Sequence, residues 1–173
     1  MKPLFVLLLL VFLPDNVFYD ITIQNVTGNT ISFSQFKGKK VLIVNAASAS
    51  KYNRQMGNLQ KLYSKYSSNL AVIVFPTNSF NNEPLSNAAI ADSMKAKGYT
   101  FVIAAKSDVT GANMNPVYKY LFDKQKNGRI SLSVNEDFKK ILLDKNGMVQ
   151  GVFASQLDPM DSLLQKTIVA PSN

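Results

Sequence analysis

An α/β fold with a mixed central sheet flanked by helices is what this sequence predicts, and three observations carry it. Residues 41–44 and 70–75 are continuously apolar and β-branched, the look of strands buried on both faces. Between them Leu59, Leu62, Tyr63 and Tyr66 recur at helical spacing, so a helical crossover joins the two strands and makes them parallel neighbours. Further on, Asn146-Gly147 separates the runs 138–143 and 148–153, which is the turn chemistry of an antiparallel hairpin.

The elements follow in order. Residues 17–24 alternate, Gly28 turns the chain, and residues 30–33 alternate again, which predicts an N-terminal β-hairpin. Phe36-Lys37-Gly38 then leads into the first apolar strand. That strand stops in a loop of small polar residues, Asn45 to Lys51, and in open α/β sheets such carboxyl-end loops carry ligands and reactive groups. A helix over 54–66 ends at the polar residues 67–69, and the second apolar strand ends in a polar loop, 76–84. Ser86-Asn87 cap a helix through Lys95 that closes at Gly98. Residues 101–104 form a short strand, 108–111 a turn, and 115–122 a helix with Pro116 in its first turn. Residues 124–129 read as a polar loop, and 161–168 as an amphipathic closing helix. No internal repeat or low-complexity linker interrupts the chain, so residues 16–173 are expected to form one domain.

Composition narrows the chemistry. The 173 residues are 46% hydrophobic and 17% charged, enough to bury a core without staples. The net charge of +8 comes from basic residues scattered over turns and helix faces, with Lys39-Lys40 and Lys139-Lys140 the only doublets. That distribution is a solvated surface, and no nucleic-acid partner is expected. The chain has neither cysteine nor histidine, which excludes disulfides, thiolate nucleophiles, imidazole bases and the common zinc sites.

At the N-terminus one lysine precedes ten apolar residues, 4–13, followed by Pro14-Asp15-Asn16. A membrane span needs about twenty such residues. Residues 1–15 therefore read as a signal peptide, although no small-x-small cleavage site follows, and an N-terminal strand or interfacial anchor is the competing reading. The expectation is a protein exported to the periplasm or medium, touching membrane only through that segment. Asn25-Val26-Thr27 has the form of a glycosylation acceptor, but a turn accounts for it far better.

With the segments placed, residues 18–165 resemble the glutathione peroxidase family. The matching motifs are Val44-Asn45-Ala46-Ala47-Ser48 for V-N-x-A-S, Phe75-Pro76-Thr77-Asn78-Ser79-Phe80 for F-P-x-N-x-F, and Asp108 to Gly111 for D-V-x-G. Pro116 to Leu121 matches P-x-Y-K-x-L, and Phe138 to Asp144 matches F-x-K-x-L-x-D. The resemblance implies a thioredoxin-like fold and, for the family, peroxide reduction by a thiol or selenol fed by glutathione or thioredoxin.

The departures fall on the chemistry that the resemblance implies. The peroxidatic cysteine or selenocysteine corresponds to Ser50, the family glutamine to Ser79, and the tryptophan and asparagine of W-N-F to Glu136 and Asp137, with Asn135 the alternative alignment. The resolving cysteine falls near Met94, and the proline after T-F is Val102, which puts the family's cis peptide in doubt. A serine hydroxyl has no accessible oxidised state and no histidine to activate it, so it cannot enter a peroxide-reducing cycle. Two carboxylates beside it would raise, not lower, the pKa of any thiol placed there.

Other uses of these residues are weaker. Glu136 and Asp137 could be an acid and base, yet neighbours in a strand point to opposite faces and a solvated turn accounts for them. Ser48 or Ser50 as nucleophile would need Lys51 as base; the competing reading is a polar loop capping the next helix. Glu83, Asp92 and Asp108 lack metal-ligand spacing, and Met56, Met94 and Met114 are core or sacrificial methionines. No cofactor or metal is expected. The sequence thus predicts a family member that keeps the scaffold, has lost its redox centre, and binds an unidentified protein or small molecule through the face around Ser50, Ser79 and Val102. The rivals are residual peroxide chemistry by a non-thiol route and hydrolysis through Ser50.

Overall fold

A computed structural model of the chain describes residues 17–172. The predicted leader, residues 1–15, lies outside the described residues. Among the described residues seven strands fall into two sheets: a hairpin of β1 (Thr22–Gln24) and β2 (Thr30–Ser32), and a central sheet of β3 (Lys40–Ala46), β4 (Leu70–Pro76), β5 (Val102–Ile103), β6 (Lys140–Leu143) and β7 (Val149–Phe153). The central order is β5-β4-β3-β6-β7, with β3, β4 and β5 parallel and β6 and β7 antiparallel additions.

Every residue of β3 and β4 is buried, because helices or loops cover both faces of the sheet. Strand alternation then sorts their side chains. Val41, Ile43, Ile73 and Phe75 pack with Phe18, Phe33, Tyr118 and Leu121, while Leu42, Val44, Val72 and Val74 pack with Leu59, Leu62, Ile90 and Leu164. The first group joins the N-terminal segment and α3 (Pro116–Phe122); the second joins α1 (Met56–Tyr66), α2 (Asn87–Ala96) and α5 (Ser162–Val169). Ser86 caps α2 as the sequence implies, its Oγ accepting from Ala89 N, and Asn115 and Asp161 cap α3 and α5 by accepting from Val117 N and Leu163 N. Gly98 takes a positive φ of 68°, the left-handed turn that stops the chain after α2.

Two predicted segments differ. Residues Val17–Asp20 form a 3₁₀ turn, not a strand, because Phe18 and Tyr19 are both pulled into the aromatic cluster and alternation would expose one of them. The segment predicted as a loop over 124–129 contains a short helix, α4 (Lys124–Asn127), capped by Asp123 and closed by Gly128 at φ 72°. Buried Asn127 explains it: Nδ2 donates to Leu121 O and Ile130 O, and Oδ1 accepts from Arg129 N and Ile130 N.

Both rims of the central sheet are guarded. β5 is two residues long, and the hairpin turn closes over it through Val26 N donating to Ile103 O and a bridge between Asn25 and Ala104. At the β7 rim Gln150 Nε2 donates to Pro171 O, tying the C-terminal tail alongside. No described helix is long and apolar enough to cross a membrane.

Candidate functional site

The loops after β3 and β4 and the turn before β6 converge at one end of the sheet. β3 fixes the turn by its last polar residue: Asn45 O accepts from Phe138 N at 2.6 Å, and Asn45 Nδ2 donates to Glu136 O at 2.9 Å. Phe138 takes a left-handed φ of 64°, uncommon for an aromatic residue, and its ring is wholly buried. The β3 and β4 loops are joined by Thr77 N to Ala46 O and Ala49 N to Asn82 O.

Buried Glu83 braces the same junction. Its carboxylate accepts from Ser48 N at 2.8 Å, Ser48 Oγ at 2.7 Å and Leu85 N at 3.1 Å. Glu83 is thus a structural acceptor here, and no cluster of three potential metal ligands occurs among the described residues. A cleft of about 460 Å³ opens above, lined by Ser50, Lys51, Tyr52, Phe80, Asn82 and the residues 135–137.

Ser50, Glu136 and Asp137 share one cleft. Ser50 sits at its base, 9% exposed, with Oγ accepting from Tyr52 N at 3.3 Å in the turn that starts the helix. Asp137 is only 3% exposed, which corrects the expectation of a solvated turn: the left-handed Phe138 folds the chain so that both carboxylates line the cleft. Asn82 Nδ2 donates to Asp137 Oδ2 at 2.7 Å, while Asp137 Oδ1 has no hydrogen-bond partner of good geometry. Burial pushes the Asp137 carboxyl above the usual range; the Asn82 amide and the nearby Ser50 hydroxyl oppose this, and Glu83 and Glu136 add to it.

The remaining family positions lie elsewhere. Ser79 does not line the cleft; its hydroxyl accepts from Thr77 Oγ1 at 2.9 Å and from Val109 N at 3.1 Å, which pins the β4 loop to the 108–111 turn. Met94 and Val102 line a second groove, between the hairpin turn and α2, so the face expected to unite Ser50, Ser79 and Val102 is divided. No cis peptide bond occurs among the described residues. Lys51 Nζ lies 4.9 Å over the Tyr52 ring, and no contact places it on a serine hydroxyl.

Sequence reasoning missed Asn82, Tyr52 and Phe80 as parts of the site. Nothing in the spacing marks Asn82, which meets Asp137 across 55 residues of chain. The signal for Glu83 was its place in a polar loop before Pro84, which suits a buried brace as well as a ligand.

Behind the cleft, Lys140 is fully buried and donates to Phe138 O at 2.8 Å and Ser155 O at 3.1 Å. Desolvation pulls its amine down to about 8, against the pull of Asp158 and Glu136.

Comparison with known proteins bears on the family and the fold. The family model described as glutathione peroxidase matches residues 18–122. A glutathione peroxidase-like peroxiredoxin of Chlamydomonas reinhardtii is 37% identical over 145 residues, covering 82% of this chain and 89% of its own. Another, glutathione peroxidase-like peroxiredoxin 2 of Saccharomyces cerevisiae, is 39% identical over 159 residues, with coverages of 86% and 98%. The solved structure of Trgpx in its apo form superposes with a TM-score of 0.67 at 31% identity, over 88% of this chain and 93% of that one. A thiol:disulfide interchange protein of Chlorobium tepidum, 16% identical with a TM-score of 0.63 over 86% and 92% of the two chains, shares the thioredoxin-like fold alone. On the breadth of the family match and the identity to these relatives, the chain belongs to the glutathione peroxidase family.

Proposed function

We infer that this chain is an exported, degenerate family member that binds a partner at the former reaction centre and does not turn over peroxide. One observation supports the reading: Ser50, which the family resemblance aligns with the peroxidatic group, shares its cleft with Glu136 and Asp137 in a chain without cysteine. Peroxide reduction breaks the O–O bond by attack of a thiolate or selenolate that is then recycled by thiol. An alcohol offers no such cycle, and two carboxylates beside the attacking atom would repel the negative charge it needs. The relatives' names speak of peroxidase and peroxiredoxin activity for those proteins; here the fold is kept without the group that does the work. Export is part of the reading because a lysine precedes ten apolar residues at the N-terminus.

A coupled peroxide assay with glutathione and with thioredoxin as donors tests the first half. The expected result is no turnover above buffer, and sustained donor oxidation overturns it. Mass measurement of the protein after cell fractionation tests the second: an N-terminus beyond residue 15 in the exported fraction supports it, and intact Met1 in the soluble cytosol overturns it.

A further inference from the structure

The cleft has a charge logic of its own. Asp137 is a nearly fully buried carboxylate with one oxygen lacking a hydrogen bond of good geometry, only the Ser50 hydroxyl lying near, and neither it nor Glu136 has an ion-pair partner among the described residues. Taking a carboxylate out of water without a countercharge is costly, and an asparagine at this place would satisfy Asn82 as well. The walls supply the second observation. Tyr52 lines the cleft, its hydroxyl lies 3.4 Å from Glu136 Oε2, and its ring already carries an ammonium, that of Lys51 at 4.9 Å. Phe80 lines the cleft as well. No group of three potential metal ligands occurs among the described residues.

We propose that this cleft binds an organic cation, an alkyl guanidinium or ammonium group, seated against Glu136 and the Tyr52 wall with Asp137 beneath it. The proposal deepens the reading of the chain as a binding module and rests on it. A guanidinium fits well, because its planar fork suits a carboxylate and its face stacks on an aromatic ring. The cleft volume of about 460 Å³ suits a side chain or small polyamine.

Binding also resolves the buried charge. Asp137 faces Asn82, Ser50, Glu83 and Glu136, with Lys51 at the cleft rim and Lys140 behind Glu136. Glu83 and Glu136 disfavour its ionised form, so a bound cation stabilises that form, and affinity falls as acid protonates the site. The chain as a whole carries a net charge of +8, which opposes the approach of a cation at long range. Added salt therefore screens repulsion from the body more than attraction inside the cleft, the reverse of an adventitious surface ion pair.

Isothermal titration of the full chain with agmatine and with a short blocked arginine peptide tests the proposal, with 1-pentanol as the uncharged control. The expected dissociation constant for at least one cation is on the order of 1 mM or tighter, with none for pentanol. Preference for agmatine identifies a free small cation and preference for the peptide a polypeptide side chain; either supports the shared chemistry. Asp137→Asn and Glu136→Gln each weaken binding by about tenfold, with folding checked by circular dichroism. Lys51→Ala tightens it by about threefold, since the resident ammonium leaves the Tyr52 ring. No binding of either cation, equal affinity in Asp137→Asn, or weaker binding in Lys51→Ala overturns it. Peroxide turnover on the same preparation would instead sink the non-catalytic reading, so the two failures are separable.

Discussion

The Asn82 amide donates to the Asp137 carboxylate at 2.7 Å, joining the β4 loop to the turn before β6 across the cleft that contains Ser50. The contact satisfies one oxygen of a buried acid and leaves the other without a hydrogen bond of good geometry, the Ser50 hydroxyl lying near. Its consequences are measurable.

The Asp137 carboxyl titrates above its unfolded value because burial opposes ionisation. The fold therefore binds this proton more tightly than the unfolded chain. The stability it supplies is present below the unfolded carboxylate pKa and is lost as pH rises through the folded one. Asp137→Asn keeps an acceptor for Asn82 and removes the charge. Thermal melts are expected to show the variant more stable at neutral pH, with each kcal/mol worth about 2–4 °C, and the gain disappearing in acid.

Ser50→Cys is expected to recover little peroxidase activity. A thiol at this place meets Asp137 and Glu136, which hold its pKa above the free value of about 8.5. Alkylation by iodoacetamide across pH measures that value directly. Adding Asp137→Asn and Glu136→Gln moves the midpoint down; a midpoint already below neutrality in the single variant contradicts the electrostatic argument.

Glu83→Ala removes the acceptor of Ser48 N, Ser48 Oγ and Leu85 N together. Leaving buried donors unpaired costs about 1–3 kcal/mol, seen as a lower denaturant midpoint. Glu83→Gln keeps one acceptor oxygen and is expected to lose less.

Lys140 titrates at about 8 in the fold against 10.5 as its ordinary value. Between those values the unfolded chain binds more protons, so this group's contribution makes stability rise with pH there. Urea titrations at pH 8 and pH 10 detect the rise, and Lys140→Met is expected to abolish it. Tyr19 and Tyr120, pushed up to about 12 by burial, act in the opposite sense only above their ordinary value of 10.0.

The sheet was readable in the sequence because β3 and β4 are covered on both faces, which demands an unbroken apolar run. The α2 cap was readable for a local reason: Ser86 bonds within three residues of itself. Asp137 was not, because its burial is decided by Asn82 and by a left-handed Phe138, neither of which leaves a period or a motif. The family resemblance located Ser50 and Asp137 together, and local pattern alone would have left Asp137 on the surface. Ser79 shows the converse: alignment put it at the centre, while its hydroxyl is engaged by Thr77 and Val109 beside the cleft.

The short β5, covered by the hairpin turn, and the tail tethered by Gln150 bear on how such a chain fares in a crowded compartment. Intermolecular strand addition, the first step toward fibrils, requires an open backbone ladder, and neither flank offers a long one. Loosening the tail, as by Gln150→Ala, would leave the β7 flank more open to such addition.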